Sequence, residues 1–475
     1  MYIYQFSIMM IKRFFLFPIV LLLVIAIPLF LITFFQYRSQ AEDVKANIYI
    51  DTQKIEGAVP DRWRAIAQGG EESGTRMLAN VVSPLAALYP RYIRLDHIYD
   101  YYDVLNRDEN GKLSYNWLAL DETVCDIYHT GAKPFFSLGY MSPAISQDGS
   151  LISLPKSWNE WAEVVQKTIE HYSGKTTRLC GQVSGQWMED IYYEVWNEPD
   201  LETFGKWSIY GGEKDYKKLY LYSSLGASKA QDVQKFLLGG PVTTRAYKNW
   251  LTTFLDYVSA NNLKLDFISW HHYSKDPEDF ANDVKSVNSW LSPEKYAKYR
   301  SLPKIISEWG YDSDPNPLSD TNVGAAHTIM SLRNLIEQNI TLAFLFEAKD
   351  GATPRWGILS HEGEKKPRYY ALKMFNLLEG NSIRVEGEGT HVRAFASASP
   401  QKTTALLVNY DIGAKNVELV PVTFTNLPTG IYDLTITYLE GTEVKLDAIE
   451  VTNNIFRRDI LMSPNSVIAL ELKKH

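Results

Sequence analysis

Ile191-Tyr-Tyr-Glu-Val-Trp-Asn-Glu-Pro-Asp200 is an apolar, aromatic run that ends in an amide, a carboxylic acid and a proline. Tyr, Ile and Val favour a pleated backbone, and Pro199 has no N–H to give a sheet ladder, so the strand stops where Glu198 sits. The stretch reads as a buried strand carrying Asn197 and Glu198 at its C-terminal tip. One acid at a strand end is commonly a surface charge, so its meaning depends on what the rest of the chain sets beside it.

Outward from this strand, strand-like and helix-like runs alternate. Strand patterns at 63–68, 91–97, 133–140, 191–198, 236–242, 265–273, 304–309 and 341–347 are each followed by a helical pattern, the first at 77–89 and the last at 369–378. Eight such repeats predict an α/β fold, the (β/α)8 TIM barrel. An open doubly wound sheet shares the alternation but usually has fewer units, and no glycine-rich phosphate loop follows the first strand. From residue 380 the helices cease, and runs such as 404–410, 430–438 and 466–472 predict an antiparallel β-sandwich. That sandwich has room to recruit the short strand at 46–50. The expected division is 41–379 for the barrel and 380–475 for a supporting sandwich without site chemistry.

At 475 residues and 45% hydrophobic content the chain can bury a large core and more than one unit. A net charge of −8 with no basic run outside the N-terminus argues against nucleic acid as a partner. Residues 14–35 are apolar and uncharged, with Lys12 and Arg13 before them and Glu42 and Asp43 soon after. This pattern predicts a transmembrane helix within an N-terminal segment 1–40, with the rest of the chain extracytoplasmic. A cleaved secretory signal is the alternative, Ser39-Gln-Ala41 serving as its small-residue site. Cys125 and Cys180 lack zinc-site spacing and are expected to be two structural thiols, a bridge between them being the alternative.

In a closed barrel the strand ends converge on one face, so polar groups far apart in sequence can meet. Glu308, in Ser307-Glu-Trp-Gly310 at the end of strand seven, repeats the form of Glu198 on strand four: an apolar strand, an acid, then a residue that halts or bends the chain. Two facing carboxyls are what glycosidic cleavage needs, with a separation of about 5 Å for retention and a wider gap for inversion. His271 and His272 are adjacent and point to opposite faces of a strand, which argues against a shared metal ion. No cofactor is expected.

Trp196-Asn-Glu-Pro199 together with Glu308 resembles the signature of the clan A retaining glycoside hydrolases. Within it, Asp266-Phe-Ile-Ser-Trp-His-His-Tyr273, Lys133-Pro-Phe-Phe-Ser-Leu-Gly-Tyr140 and Lys366-Pro-Arg-Tyr-Tyr-Ala371 are similar to glycoside hydrolase family 39, home of β-xylosidases and α-L-iduronidases. The resemblance implies a hydrolase of an oligo- or polysaccharide acting through a covalent glycosyl-enzyme. It also implies roles: Glu198 as acid/base, Glu308 as nucleophile, Asn197 as a contact for the hydroxyl beside the anomeric carbon, Tyr273 as a donor to the nucleophile. His271 and Arg94 would orient the pair. The alternatives are a structural ion pair for Arg94, a core histidine for His271 and plain packing for Tyr273.

Two departures from that family's pattern stand out. Arg94-Leu-Asp-His97 shifts the histidine that usually follows the strand-two arginine and lacks the glycine, which puts His97 as a sugar ligand in doubt. On strand eight, Phe344-Leu-Phe-Glu-Ala-Lys-Asp350 replaces a Trp-rich run, so Glu347, Lys349 and Asp350 are candidates for an altered subsite. Trp356 is the candidate stacking platform, or else a core tryptophan. These departures also leave a non-catalytic carbohydrate-binding protein on the same fold as the alternative function.

Overall fold

The computed structural model of the chain describes residues 43–69, 72–353 and 356–475. The span expected at 14–35 lies outside them, and among the described residues no helix is long and apolar enough to cross a membrane.

Eight strands close into a barrel in chain order: Ala65–Gln68, Tyr92–Leu95, Lys133–Leu138, Ile191–Val195, Phe236–Thr243, Phe267–Tyr273, Lys304–Gly310 and Leu342–Phe346. Each pairs in parallel with its neighbours, and the last pairs with the first through Phe344 and Ala65. The period of two is visible in the packing. Ala65, Tyr92, Phe135, Tyr192, Phe267, Ile305 and Phe344 fill the barrel interior. Their neighbours Ile66, Ile93, Phe136, Tyr193, Ile268 and Ile306 join the layer beneath the helices. Small Ala65 and Ala67 on strand one make room for the rings opposite, as a filled barrel requires.

The surrounding helices follow the expected order with two differences. The pattern at 77–89 yields only the short helix Val82–Ala86, with Pro84 in its first turn, where a missing N–H is tolerated. The helical pattern that follows strand six, which spans 276–299 in the sequence, divides into the helix Glu278–Trp290 and a 3-10 turn Glu294–Tyr299, because Pro293 cannot continue the helical ladder.

Beyond the barrel, nine strands form one ladder that folds over a single core containing Ile48, Val422, Phe424, Ile436 and Leu470. Its strand Ile48–Ala58 precedes the barrel in sequence yet pairs antiparallel with Asn381–Glu386 and parallel with Glu418–Thr425. The sheet is therefore antiparallel except at that one pairing, and the first strand of the range expected for the barrel lies in it. Barrel and sheet belong to one compact unit, Ala46–His475.

The expectation of two free thiols is corrected: Cys125 and Cys180 form a disulfide with Cα atoms 5.3 Å apart. Cys125 lies on the helix Leu118–His129, and Cys180 lies in the tight hairpin of Arg178–Leu179 and Gln182–Val183. Fifty-five residues separate the two in sequence. Their proximity is a product of the helix packing and cannot be read from that spacing.

Candidate active site

Glu308 owes its position to an irregularity in strand seven. Alternation from Ile305, which faces the interior, would turn Ser307 inward and Glu308 outward. Instead Trp270 pairs with Ile306 and the very next residue, His271, pairs with Glu308. On the other side Ile306 and Trp309 pair with Ala343 and Leu345, so strand seven carries one extra residue against both neighbours. This bulge re-aims a side chain, as bulges beside active sites do, and it delivers Glu308 to the inner face.

Strand six needs no such device. Phe267 faces inward, and a period of two brings His271 and Tyr273 to the same side. His272 points the other way and bonds Asp283 at 2.6 Å on the helix Glu278–Trp290. Beyond strand four the backbone turns sharply, with φ of 75° at Trp196 and 41° at Glu198. Both values fall in the left-handed region, which non-glycine residues occupy when their surroundings hold them there. The Glu198 N–H donates to the Val242 carbonyl at 3.1 Å. Two residues on, Asp200 accepts from the Thr244 N–H at 2.9 Å, so the loop bearing Glu198 is pinned to the end of strand five.

The six polar residues singled out on strands two, four, six and seven converge. The fully buried Arg94 donates to Glu308 Oε1 at 2.8 Å, to Asn197 Oδ1 at 2.8 Å and to Glu194 Oε2 at 2.9 Å. Tyr273 donates its hydroxyl to Glu308 Oε2 at 2.9 Å. His271 Nδ1 lies 2.9 Å from Glu198 Oε1 and 3.5 Å from Glu308 Oε2, between the two acids. Asn197 donates from Nδ2 to the Tyr140 hydroxyl at 2.8 Å, which leaves its second N–H for a ligand.

The electrostatics follow from burial. Glu308 is held above the usual carboxylate range, first by desolvation and further by Glu198, while His271 and Arg94 pull it down. Desolvation opposes protonation of His271, but the Glu308 and Glu198 carboxylates outweigh it and raise its pKa. The charge of Arg94 is likewise opposed by burial and secured by Glu194 and Glu308. Glu198 has access to solvent and, among the described residues, His271 as its close partner, whereas Glu308 is held by two donors, Arg94 and Tyr273. An oxygen of Glu198, a nitrogen of His271 and an oxygen of Glu308 lie within 4.8 Å of one another. These three could ligate an ion by distance, but Arg94 already supplies a cation 2.8 Å from Glu308.

The remaining candidates separate. Trp356 is half-buried, its ring 5.5 Å from that of the interior residue Phe346, and its indole N–H donates to the Asp312 carbonyl at 3.0 Å. Glu347 is buried at the end of strand eight and raises the Tyr273 pKa through its charge, after larger contributions from burial, Glu308 and Glu198. The other two residues of the proposed altered subsite serve the loops. Lys349 donates to the Met77 carbonyl and to Asn80 at 3.0 and 2.9 Å, and Asp350 accepts from the Gly357 N–H at 2.7 Å. His97 stacks on Tyr101 at 4.1 Å with Nδ1 2.7 Å from Asp100.

Glu194 and Tyr140 were not singled out from sequence. Glu194 had a signal, since it is a charged residue inside an apolar strand and shares the inward face with Tyr192. Tyr140 had none beyond its place at the end of strand three.

Across residues 47–439 the chain matches the sequence model of Glycosyl hydrolases family 39. The β-xylosidase of Caldicellulosiruptor saccharolyticus is 26% identical over 351 residues, 68% of this chain and 68% of that one. The β-xylosidase of Geobacillus stearothermophilus is 24% identical over 379 residues, 70% of this chain and 72% of the relative. Among solved structures, a monomeric β-xylosidase from Caulobacter crescentus CB15 aligns with a TM-score of 0.75 at 20% identity, covering 90% of this chain and 99% of its own. The GH39 enzyme from Xanthomonas axonopodis pv. citri gives 0.74 at 18% identity, covering 92% and 99%. The two solved structures share the fold, and the family match spans most of the sequence. With a strand-four and a strand-seven glutamate meeting at the mouth of the barrel, the chain belongs to family 39 of the glycosyl hydrolases and is a glycosidase.

Proposed function

We propose that the protein cleaves O-glycosidic bonds of an oligo- or polysaccharide with retention, by double displacement through a covalent glycosyl-enzyme, and that β-xylosides are among its substrates. The observation that carries this reading is the approach of the two acids: carboxyl oxygens within 4.8 Å leave no room for the water an inverting enzyme seats between them. The β-xylosidase relatives support the choice of sugar.

In the first step Glu308 attacks the anomeric carbon while Glu198 gives its proton to the leaving oxygen. The C–O bond to the aglycone breaks as the bond to Glu308 forms. In the second step Glu198, now ionised, takes a proton from water, and the hydroxide displaces Glu308. Arg94 and Tyr273 hold Glu308 ionised and oriented, and His271 fixes Glu198 beside it. Asn197 offers its free N–H to the hydroxyl next to the anomeric carbon, and Trp356 is the stacking surface. The test is the anomer first released from 4-nitrophenyl β-D-xyloside, followed by proton NMR. The β-anomer is expected, and initial release of the α-anomer would refute double displacement.

The acidic limb of kcat/KM against pH reports Glu308 in the free enzyme, and burial places that limb above the ordinary carboxylate range. Tyr273→Phe removes a hydrogen bond that favours the ionised form, so the limb is expected to move to still higher pH. A pH–rate series measures this; a limb that stays or moves down would deny Tyr273 its role.

The apolar run at 14–35 supports anchorage of the enzyme in a membrane with its barrel outside the cytoplasm. The disulfide supports the same placement, since such bridges persist in oxidising compartments. Protease treatment of intact cells should then degrade the enzyme; protection equal to that of a cytosolic marker would contradict it.

A further inference from the structure

The network at the barrel mouth leaves one buried acid unused. Asp96 is 5% exposed and stands two residues after Arg94, just past the end of strand two. Pairing of strands one and two runs through Gln68 and Leu95, so Asp96 falls opposite Gly69. A Cβ placed on Gly69 would come 2.5 Å from the ring of Phe346, which belongs to the barrel interior, and 3.4 Å from Asp96 Oδ2. The Asp96 carboxyl is therefore on the interior side, next to Gly69, where the ring of Phe346 leaves no room for a side chain.

Among the described residues Asp96 Oδ1 is buried without a hydrogen-bond partner. Its neighbours are committed elsewhere: Arg94 to Glu194, Glu308 and Asn197, Tyr140 to Asn197, and His97 to Asp100. Buried carboxylate oxygens are rarely left without donors, and one that opens on a ligand site is ordinarily satisfied by the ligand. Burial holds the Asp96 pKa above its usual range, while His97, Arg94 and His271 draw it back and Asp100 adds to the rise. The Asp96 charge raises the pKa values of Tyr140 and Glu308, and that of His271 lowers the Asp96 pKa, so the four groups lie near one another.

We propose that Asp96 is a specificity-determining residue of the sugar-binding site: it accepts hydrogen bonds from ring hydroxyls beyond the one met by Asn197, and its negative charge selects neutral sugars over uronates. This inference rests on the double-displacement reading above for the location of the sugar. Hydroxyls are the donors a neutral pyranose presents in number. A uronate brings a further carboxylate close to Asp96, Glu194, Glu198 and Glu308, against the buried cation of Arg94 and the histidine between the acids. Like charges in a poorly solvated site repel strongly.

The test is calorimetric binding of D-xylose, its 3-deoxy and 4-deoxy forms and D-glucuronic acid to the wild-type enzyme and to Asp96→Asn and Asp96→Ala. Glucuronic acid has the ring configuration of xylose with a carboxylate added at carbon 5, so the pair isolates charge. Wild type is expected to prefer xylose. Both variants should bind xylose weaker by about tenfold or more, the loss typical of a hydrogen bond to a charged group. They should bind at least one deoxy sugar nearly as wild type does, and Asp96→Asn should narrow the preference over glucuronic acid. Loss by one common factor for all four sugars, or a wild type without preference for xylose, would overturn the proposal. Melting temperatures of the variants identify any general loss of folding, and Asp96→Asn, close in shape to the parent, is the variant that decides if Asp96→Ala unfolds. Binding is read without turnover, so the result is separate from that of the anomer released, which alone judges double displacement.

Discussion

Glu308→Ala is expected to lower kcat/KM by about 10,000-fold or more, the scale at which loss of a nucleophile leaves only binding and electrostatic catalysis. The expectation rests on position. Glu308 is buried, receives Arg94 and Tyr273 at 2.8 and 2.9 Å, and faces the cavity only because strand seven bulges at Ser307. Those donors favour a carboxylate that stays ionised and aimed, whereas Glu198, solvent-accessible and tied to His271, suits a group that gives and takes a proton. Azide then separates the two acids. In Glu308→Ala it enters from the face the carboxylate held and yields a glycosyl azide inverted relative to an activated β-xyloside. In Glu198→Ala the covalent intermediate still forms, and azide yields the retained product. NMR of the azides reads both, and the opposite stereochemical pairing would exchange the roles assigned here.

Arg94→Met is expected to destabilise the fold by about 3–5 kcal/mol, because it strands buried carboxylates without their cation. Glu194 and Arg94 are both fully buried and Glu308 nearly so, and solvent reaches too little of them to screen the charge. Asn197 loses its anchor in the same change. The double variant Arg94→Met, Glu194→Gln removes one stranded charge with its partner and should recover part of the stability. Activity should not return with it, since Glu308 and Asn197 remain unsupported. Urea denaturation monitored by circular dichroism gives the first quantity and xyloside turnover the second. An Arg94→Met enzyme as stable as wild type would show that the network contributes nothing net to folding.

The barrel was legible because its signals are local. Each strand announces itself by β-branched and aromatic residues at a period of two, and each stop by Pro199, Gly310 or a helix start. Pro84 and Pro293 shortened two helices for the same kind of local reason, and both are visible in the sequence. The strand at 48–58 was harder to assign, since it leaves the neighbourhood of the barrel to pair with segments more than 300 residues away.

The candidate site divides along the same line. Glu198 stands out because Pro199 ends its strand, and Asn197 beside it; Arg94, His271 and Tyr273 stand out as polar residues on the inward side of apolar strands. That inward face follows from alternation, which the backbone imposes on every strand. Tertiary structure decided what alternation does not carry. One extra residue in strand seven turned Glu308 inward, barrel closure set Glu194 against Arg94, and helix packing brought Cys125 to Cys180. The same closure left Asp96 Oδ1 buried without a hydrogen-bond partner among the described residues. The sequence by itself determined which groups stand at the strand ends, because those positions depend on neighbours one or two residues away. Only the folded barrel decided how far apart they stand, because separations across it depend on register, bulges and closure among strands that share no local sequence.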